Sequence, residues 1–200
     1  MDFEPQLSRI RSKLAEAARR DPDCKVFGAD IHRYRMHPPT TPQRVSEFEA
    51  LHGIRLPEPY VAFLTGIGHG GPGHFGAAGP YYGVYALGQF GFMPTTPESL
   101  SAPCRITSAL TEEDWIRMTD FDDALDPDSA EYGRRYDALF DGLMSIGTRG
   151  CNAQTMLALN GPDRGRIVAI DQDLNRPSVD REAHFLDWYE AWLDRSSKNP

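Results

Sequence analysis

The chain has 200 residues, 40% apolar side chains and a formal net charge of −8, enough for one domain to bury a core without disulfides or a structural metal. The negative balance argues against general nucleic-acid binding, whose affinity rests on clustered Lys and Arg, and no apolar run approaches the roughly 18 residues that span a membrane. Cys24, Cys104 and Cys151 are scattered with no C-x-x-C pair, so free thiols and a cytoplasmic, reducing setting are expected.

Phe3, Leu7, Ile10 and Leu14 fall at helical spacing, and the spacing predicts a helix over 2–20 that "DPD" at Asp21–Asp23 stops. In "HRYRMHPP", His32, Tyr34 and Met36 alternate with two arginines, which predicts a short strand. "TTPQRVSEFEALHG" predicts a helix with Thr41 as N-cap, Pro42 in the first turn, Val45, Phe48 and Leu51 on one face and Gly53 at its end. "LPEPYVAFLTG" repeats that logic, with Tyr60, Phe63 and Leu64 facing inward and Gly66 terminating.

The next stretch holds nine of the eighteen glycines between Gly66 and Gly88, and "GIGHGG" matches the G-x-G-x-x-G spacing of dinucleotide loops. Such a loop must follow a strand and open a helix, so that the pyrophosphate meets helix N-terminal amides. Here the order is reversed: the glycines close a helix and lead to "YYGVYAL", an expected strand. No G-K-[ST] follows either, so neither nucleotide motif is met.

Downstream, "QFGFMPTTPESLSAPCRITSALTEEDWIRM" is expected to be loop with at most one or two helical turns. The chain is read as one domain over 1–200 with an acidic insertion over about 89–131. Thr111 to Glu131 carries nine acids and Arg117 as the only base. "DSAEYGRRYDALF" predicts a helix capped by Asp128 or Ser129, and "GLMSIGT", "QTMLALN" and "GRIVAID" predict three strands, the last two forming a hairpin through "NGPDRG". "EAHFLDWYEAWLDR" predicts a final helix with Phe185, Trp188, Tyr189 and Trp192 as an aromatic stripe on the sheet.

Catalytic and metal patterns are incomplete. The six histidines form no H-E-x-x-H, and His69 and His74 share only a glycine loop. Ser145 in "GLMSIG" has one residue too many for a nucleophile elbow, and Cys151 beside Arg149 lacks an identifiable base. Asp171, Asp173, Asn175 and Glu182 sit at EF-hand-like positions, but Arg176 replaces the required glycine; "DFDDALDPDSAE" likewise puts Leu125 there. No metal or cofactor is implied.

Taken together, Glu49, Gly53, Leu56, Pro57, Tyr60, Phe63, Leu64, Gly70 and Gly71, with "GPYYGVYAL", "ALNGPDRGRIVAIDQD" and "FLDWYEAWL", resemble the SUKH superfamily, specifically its Smi/Knr-like branch, over roughly residues 34–193. The resemblance implies an α+β domain, a largely antiparallel sheet packed with helices, and a non-enzymatic protein-binding role. Its best-known members are immunity proteins that neutralise polymorphic toxins, many of them nucleases; others organise endogenous cell-wall and signalling partners. Leu56, Pro57, Tyr60, Phe63 and Leu64 are expected to be structural, with Gly70 and Gly71 giving positive-φ turns or close backbone approach. The expected partner surface is the acidic segment, with Glu112, Glu113, Asp114, Asp120, Asp122 and Asp123 mimicking phosphates in a basic toxin cleft and Tyr81, Tyr82 and Trp115 as anchors. A regulatory scaffold with an endogenous partner stays open, as does a hydrolase built on His69, His74 or Cys151.

Overall fold

The computed structural model describes residues 2–71, 76–91 and 96–196. Its helices are α1 (Glu4–Arg20), α2 (Ala29–His32), α3 (Pro42–His52), α4 (Glu58–Gly66), α5 (Pro97–Ser101), α6 (Glu112–Met118), α7 (Ala130–Leu139) and α8 (Phe185–Ser196). Strands β1 (Leu143–Gly150), β2 (Ala153–Ala158), β3 (Ile167–Asp171) and β4 (Ser178–Val179) form one antiparallel meander in the order β1-β2-β3-β4. The mixed α+β domain expected from the sequence is what the chain forms.

The sheet is covered on both faces, which explains why β2 is buried along nearly its whole length rather than in alternation. On one face Met144, Ile146, Leu157, Leu159 and Ile167 join the apolar sides of α1, α3, α4 and α8. On the other, Leu143, Met156, Ala158, Val168 and Ile170 pack against Trp115, Phe121, Leu139 and Phe140. The acidic segment therefore contributes Trp115 and Phe121 to the second core. Its two short helices start on side-chain caps, Thr96 for α5 and a reciprocal Thr111–Asp114 capping box for α6. Buried Asp163 ties the preceding loop down, accepting the Ser108 amide at 2.6 Å and Arg166 Nη1 at 2.6 Å.

The helix signals hold closely: Thr41 accepts the Arg44 amide, Gly53 takes φ +62° at the end of α3, and Ser129 rather than Asp128 caps α7. α4 runs through Gly66, and Ile67 is its cap. Leu51 departs from expectation, being 72% exposed. The buried place on α3 goes instead to Glu49, whose carboxylate accepts the Leu56 amide and Arg55 Nη1, each at 2.8 Å, and so fixes the turn into α4.

Two expected strands do not form. His32 ends α2, and Arg33 and Tyr34 both have positive φ (48° and 55°). The alternating burial of His32 and Tyr34 comes from this tight turn, in which the Tyr34 amide donates to His32 Nδ1 at 3.0 Å, and not from a pleat. "YYGVYAL" contributes only an isolated bridge, Ala77 to Val84. It still guards the outer edge of β1, with the Tyr85 amide on the Ile146 carbonyl at 2.8 Å and the Tyr82 amide on the Thr148 carbonyl at 3.4 Å.

A candidate protein-binding surface

The loop after α1 is organised by Asp21, which is buried and accepts the Lys25 amide (2.6 Å), the Val26 amide (3.0 Å) and the Tyr34 hydroxyl (2.8 Å). Burial pushes its pKa up, but these donors hold it below the usual carboxylate value. The loop so fixed delivers Phe27 to the surface, where it is 61% exposed. Gly28 follows at φ +80°, and a β-carbon there would lie 1.7 Å from the Tyr81 carbonyl oxygen, so only glycine lets the two loops touch.

Phe27 meets Tyr82 at 5.2 Å and Tyr81 at 6.5 Å between ring centroids. Tyr81 is held at φ +58°, a strained value for an aromatic residue. The Arg149 guanidinium lies over the Tyr81 ring, 4.1 Å from its centroid, and also donates to the Tyr81 hydroxyl. Behind this cluster opens a cavity of about 350 Å³ against α8, lined by Trp188 and Trp192 as its apolar wall and also by Arg195. A smaller adjoining space shares Tyr81, Asp180 and Trp188, and reaches Arg149, Thr155 and Ser178 on the sheet. The sequence reading named Tyr81 and Tyr82 but missed Phe27, Arg149 and the tryptophan wall. Phe27 has no periodic neighbours to mark it, and Trp188 and Trp192 looked like pure core.

The acidic residues are placed differently from one another. Glu112 pairs with Arg176 at 2.9 Å, Asp120 with Arg135 at 2.8 Å, Asp114 with Arg117, and Asp122 accepts the Tyr132 hydroxyl at 2.6 Å. Glu113 and Asp123 have no ion pair among the described residues and are exposed. Trp115 is 2% exposed, with Nε1 donating to the Leu174 carbonyl at 2.7 Å. As a partner anchor it has to be corrected: the indole is the peg that fixes α6 to the sheet.

The family-motif residues Leu56, Pro57, Tyr60, Phe63 and Leu64 are buried. Gly70 has φ +61° with Ala86 Cβ 2.5 Å from where its own β-carbon would be; at Gly71 that position is 2.6 Å from the Gly76 carbonyl oxygen. His69 is half-buried and His74 lies outside the described residues. The Ser145 hydroxyl faces the buried amide oxygen of Gln154 at 3.3 Å, and Cys151 is exposed at the β1–β2 turn. Among the described residues no group of three or more His, Cys, Asp or Glu is placed to hold a metal, and no helix is long and apolar enough to cross a membrane.

No curated protein matches the chain. The family model described as SMI1 / KNR4 family (SUKH-1) matches residues 39–191, from the chain before α3 into α8, so that every strand, the Tyr81–Arg149 pair and Trp188 lie within the match, while α1 and Phe27 precede it and Trp192 follows it. With three quarters of its length covered by that model, the chain belongs to the SMI1/KNR4 (SUKH-1) family.

Proposed function

We propose that this chain is a non-enzymatic immunity protein of the cytoplasm, which neutralises a toxin domain by binding it directly. Family membership supports protein binding. The observation that carries the surface is the aromatic–arginine cluster of Phe27, Tyr81, Tyr82 and Arg149 at the rim of a cavity, the residue types that dominate binding hot spots. The acidic segment has a narrower part than phosphate mimicry along its whole length. Carboxylates already paired to arginines are poor phosphate mimics, whereas Glu113 and Asp123 are free to steer a basic partner during encounter.

The test is co-expression of the full chain with candidate toxin domains from the same locus, followed by co-purification and a toxicity assay. A stable complex and restored growth are expected, with affinity reduced about tenfold or more in a Phe27→Ala/Tyr82→Ala variant that melts as the parent does. Multiple turnovers of a substrate by the chain alone would overturn the reading. An endogenous partner in place of a toxin would move it to the regulatory scaffold class.

A further inference from the structure

We propose that the groove between Tyr81 and α8 receives an extended segment of the partner protein in which an aspartate or glutamate adjoins an apolar side chain, the carboxylate meeting Arg149. This rests on the protein-binding reading above and names the chemistry that the surface selects. The apolar half follows from the walls: Trp188, Trp192, Phe27 and Pro80 line a space of about 350 Å³, within the size of cavities that hold ligands. The carboxylate half follows from charge. In a chain of net charge −8, the joined cavities are lined by two guanidiniums, Arg149 and Arg195, against the one carboxylate of Asp180.

Arg149 is held in place without being used up. Stacking on Tyr81 and one hydrogen bond to its hydroxyl fix the plane of the guanidinium, while it makes no ion pair among the described residues. A guanidinium has five N–H donors in a rigid fork matched to a carboxylate. Tyr81, Arg149 and Trp188 lie within the family-matched stretch, while Phe27 precedes it and Trp192 and Arg195 follow it.

The test pans a random linear peptide library, displayed on phage, against the whole protein, and titrates the enriched peptides by NMR. Expected are peptides with Asp or Glu next to an aromatic or branched aliphatic residue, moving the indole resonances of Trp188 and Trp192 while leaving buried Trp115 in place. Arg149→Gln should weaken them about tenfold or more, and Phe27→Ser should weaken them independently, both variants melting as the parent does. No enrichment, peptides lacking an acid, or full-strength binding to Arg149→Gln would overturn the proposal. Should the toxin domain still bind while the peptides fail, the groove chemistry falls and the protein-binding reading stands; peptides that bind with no toxin complex would leave the groove chemistry standing and remove the toxin as the partner.

Discussion

Trp115 Nε1 lies 2.7 Å from the Leu174 carbonyl oxygen, across 59 residues of chain, and this bond decides what the acidic segment is. It joins α6 to the β3–β4 connection, where Arg176 also meets Glu112. A charged stretch that would be a solvated loop by composition is thereby an ordered cover for one face of the sheet. Trp115→Ala should cost about 3–5 kcal/mol through the cavity it leaves, lowering the melting temperature by roughly 10 °C for a domain of this size. Trp115→Phe keeps most of the packing but strands the Leu174 carbonyl, so a loss of about 1–3 kcal/mol is expected. Thermal melts of both variants check the order.

Glu113 and Asp123 separate steering from structure. A Glu113→Lys/Asp123→Lys variant should change stability by less than about 0.5 kcal/mol while slowing association with the toxin domain and flattening its salt dependence. Glu112→Lys should also reduce stability, because the new ammonium faces Arg176. Stopped-flow association at several ionic strengths, beside a melt, distinguishes the two effects. Association rates indifferent to Glu113 and Asp123 would remove the acidic segment from the mechanism.

Glu190 fastens α1 to α8. Its carboxylate takes Arg9 Nε at 2.9 Å, Lys13 Nζ at 2.9 Å and Gln6 Nε2 at 3.2 Å. Burial raises its pKa, but these donors outweigh burial and hold it at about 2, below the ordinary 4.5. A carboxyl with a depressed folded-state pKa stabilises fully above the unfolded value and loses that contribution as pH falls through the folded one. Glu190→Gln should therefore cost on the order of 2 kcal/mol near neutral pH, and the gap to the parent should close between pH 4.5 and about 2. Denaturant unfolding across that range measures it.

His32 shifts stability in the same direction with pH, but because burial disfavours its charged form. It is buried among Tyr34 and Trp192, with ring centroids 5.4 and 5.9 Å away, and burial pushes its pKa down from 6.5 to about 4 against a smaller upward pull from the Gly79 carbonyl. The unfolded chain takes up this proton first. Stability should thus be whole above pH 6.5, fall as pH drops toward 4, and lose no more from this group below that, a total of about 3 kcal/mol. An imidazole titration by NMR with a midpoint near 6.5 would contradict it.

Gly70 and Gly71 should prove structural. Gly70→Ala combines a strained φ with a clash at Ala86, and Gly71→Val drives a side chain into the Gly76 carbonyl, so each should lower stability by about 1–3 kcal/mol. An unchanged melt with lost partner binding would assign these glycines to the contact surface.

Helices α1, α3, α4, α7 and α8 and the three main strands were legible in the residues because their signals are local. Thr41 and Gly53 bracket α3 within a dozen residues, and the aromatic spacing of Phe185 to Trp192 marks α8 unaided. The reversed order around "GIGHGG", helix before glycine, likewise followed from sequence. Where burial alternated without a partner strand, at His32 and Tyr34, the pattern misled, since a left-handed turn can alternate burial as well as a pleat does.

The sequence by itself determined the family, the α+β class and most element boundaries, because capping, periodicity and the motif from Glu49 to Gly71 act over short chain distances. Only the tertiary structure decided that Trp115 points inward, that Glu112, Asp114 and Asp120 are already paired to arginines, and that Phe27, Tyr81, Arg149 and Trp188 meet around one groove. Those outcomes depend on contacts across many tens of residues, from Phe27 to Tyr81 and from Tyr81 to Arg149, set by how the layers pack rather than by any local preference.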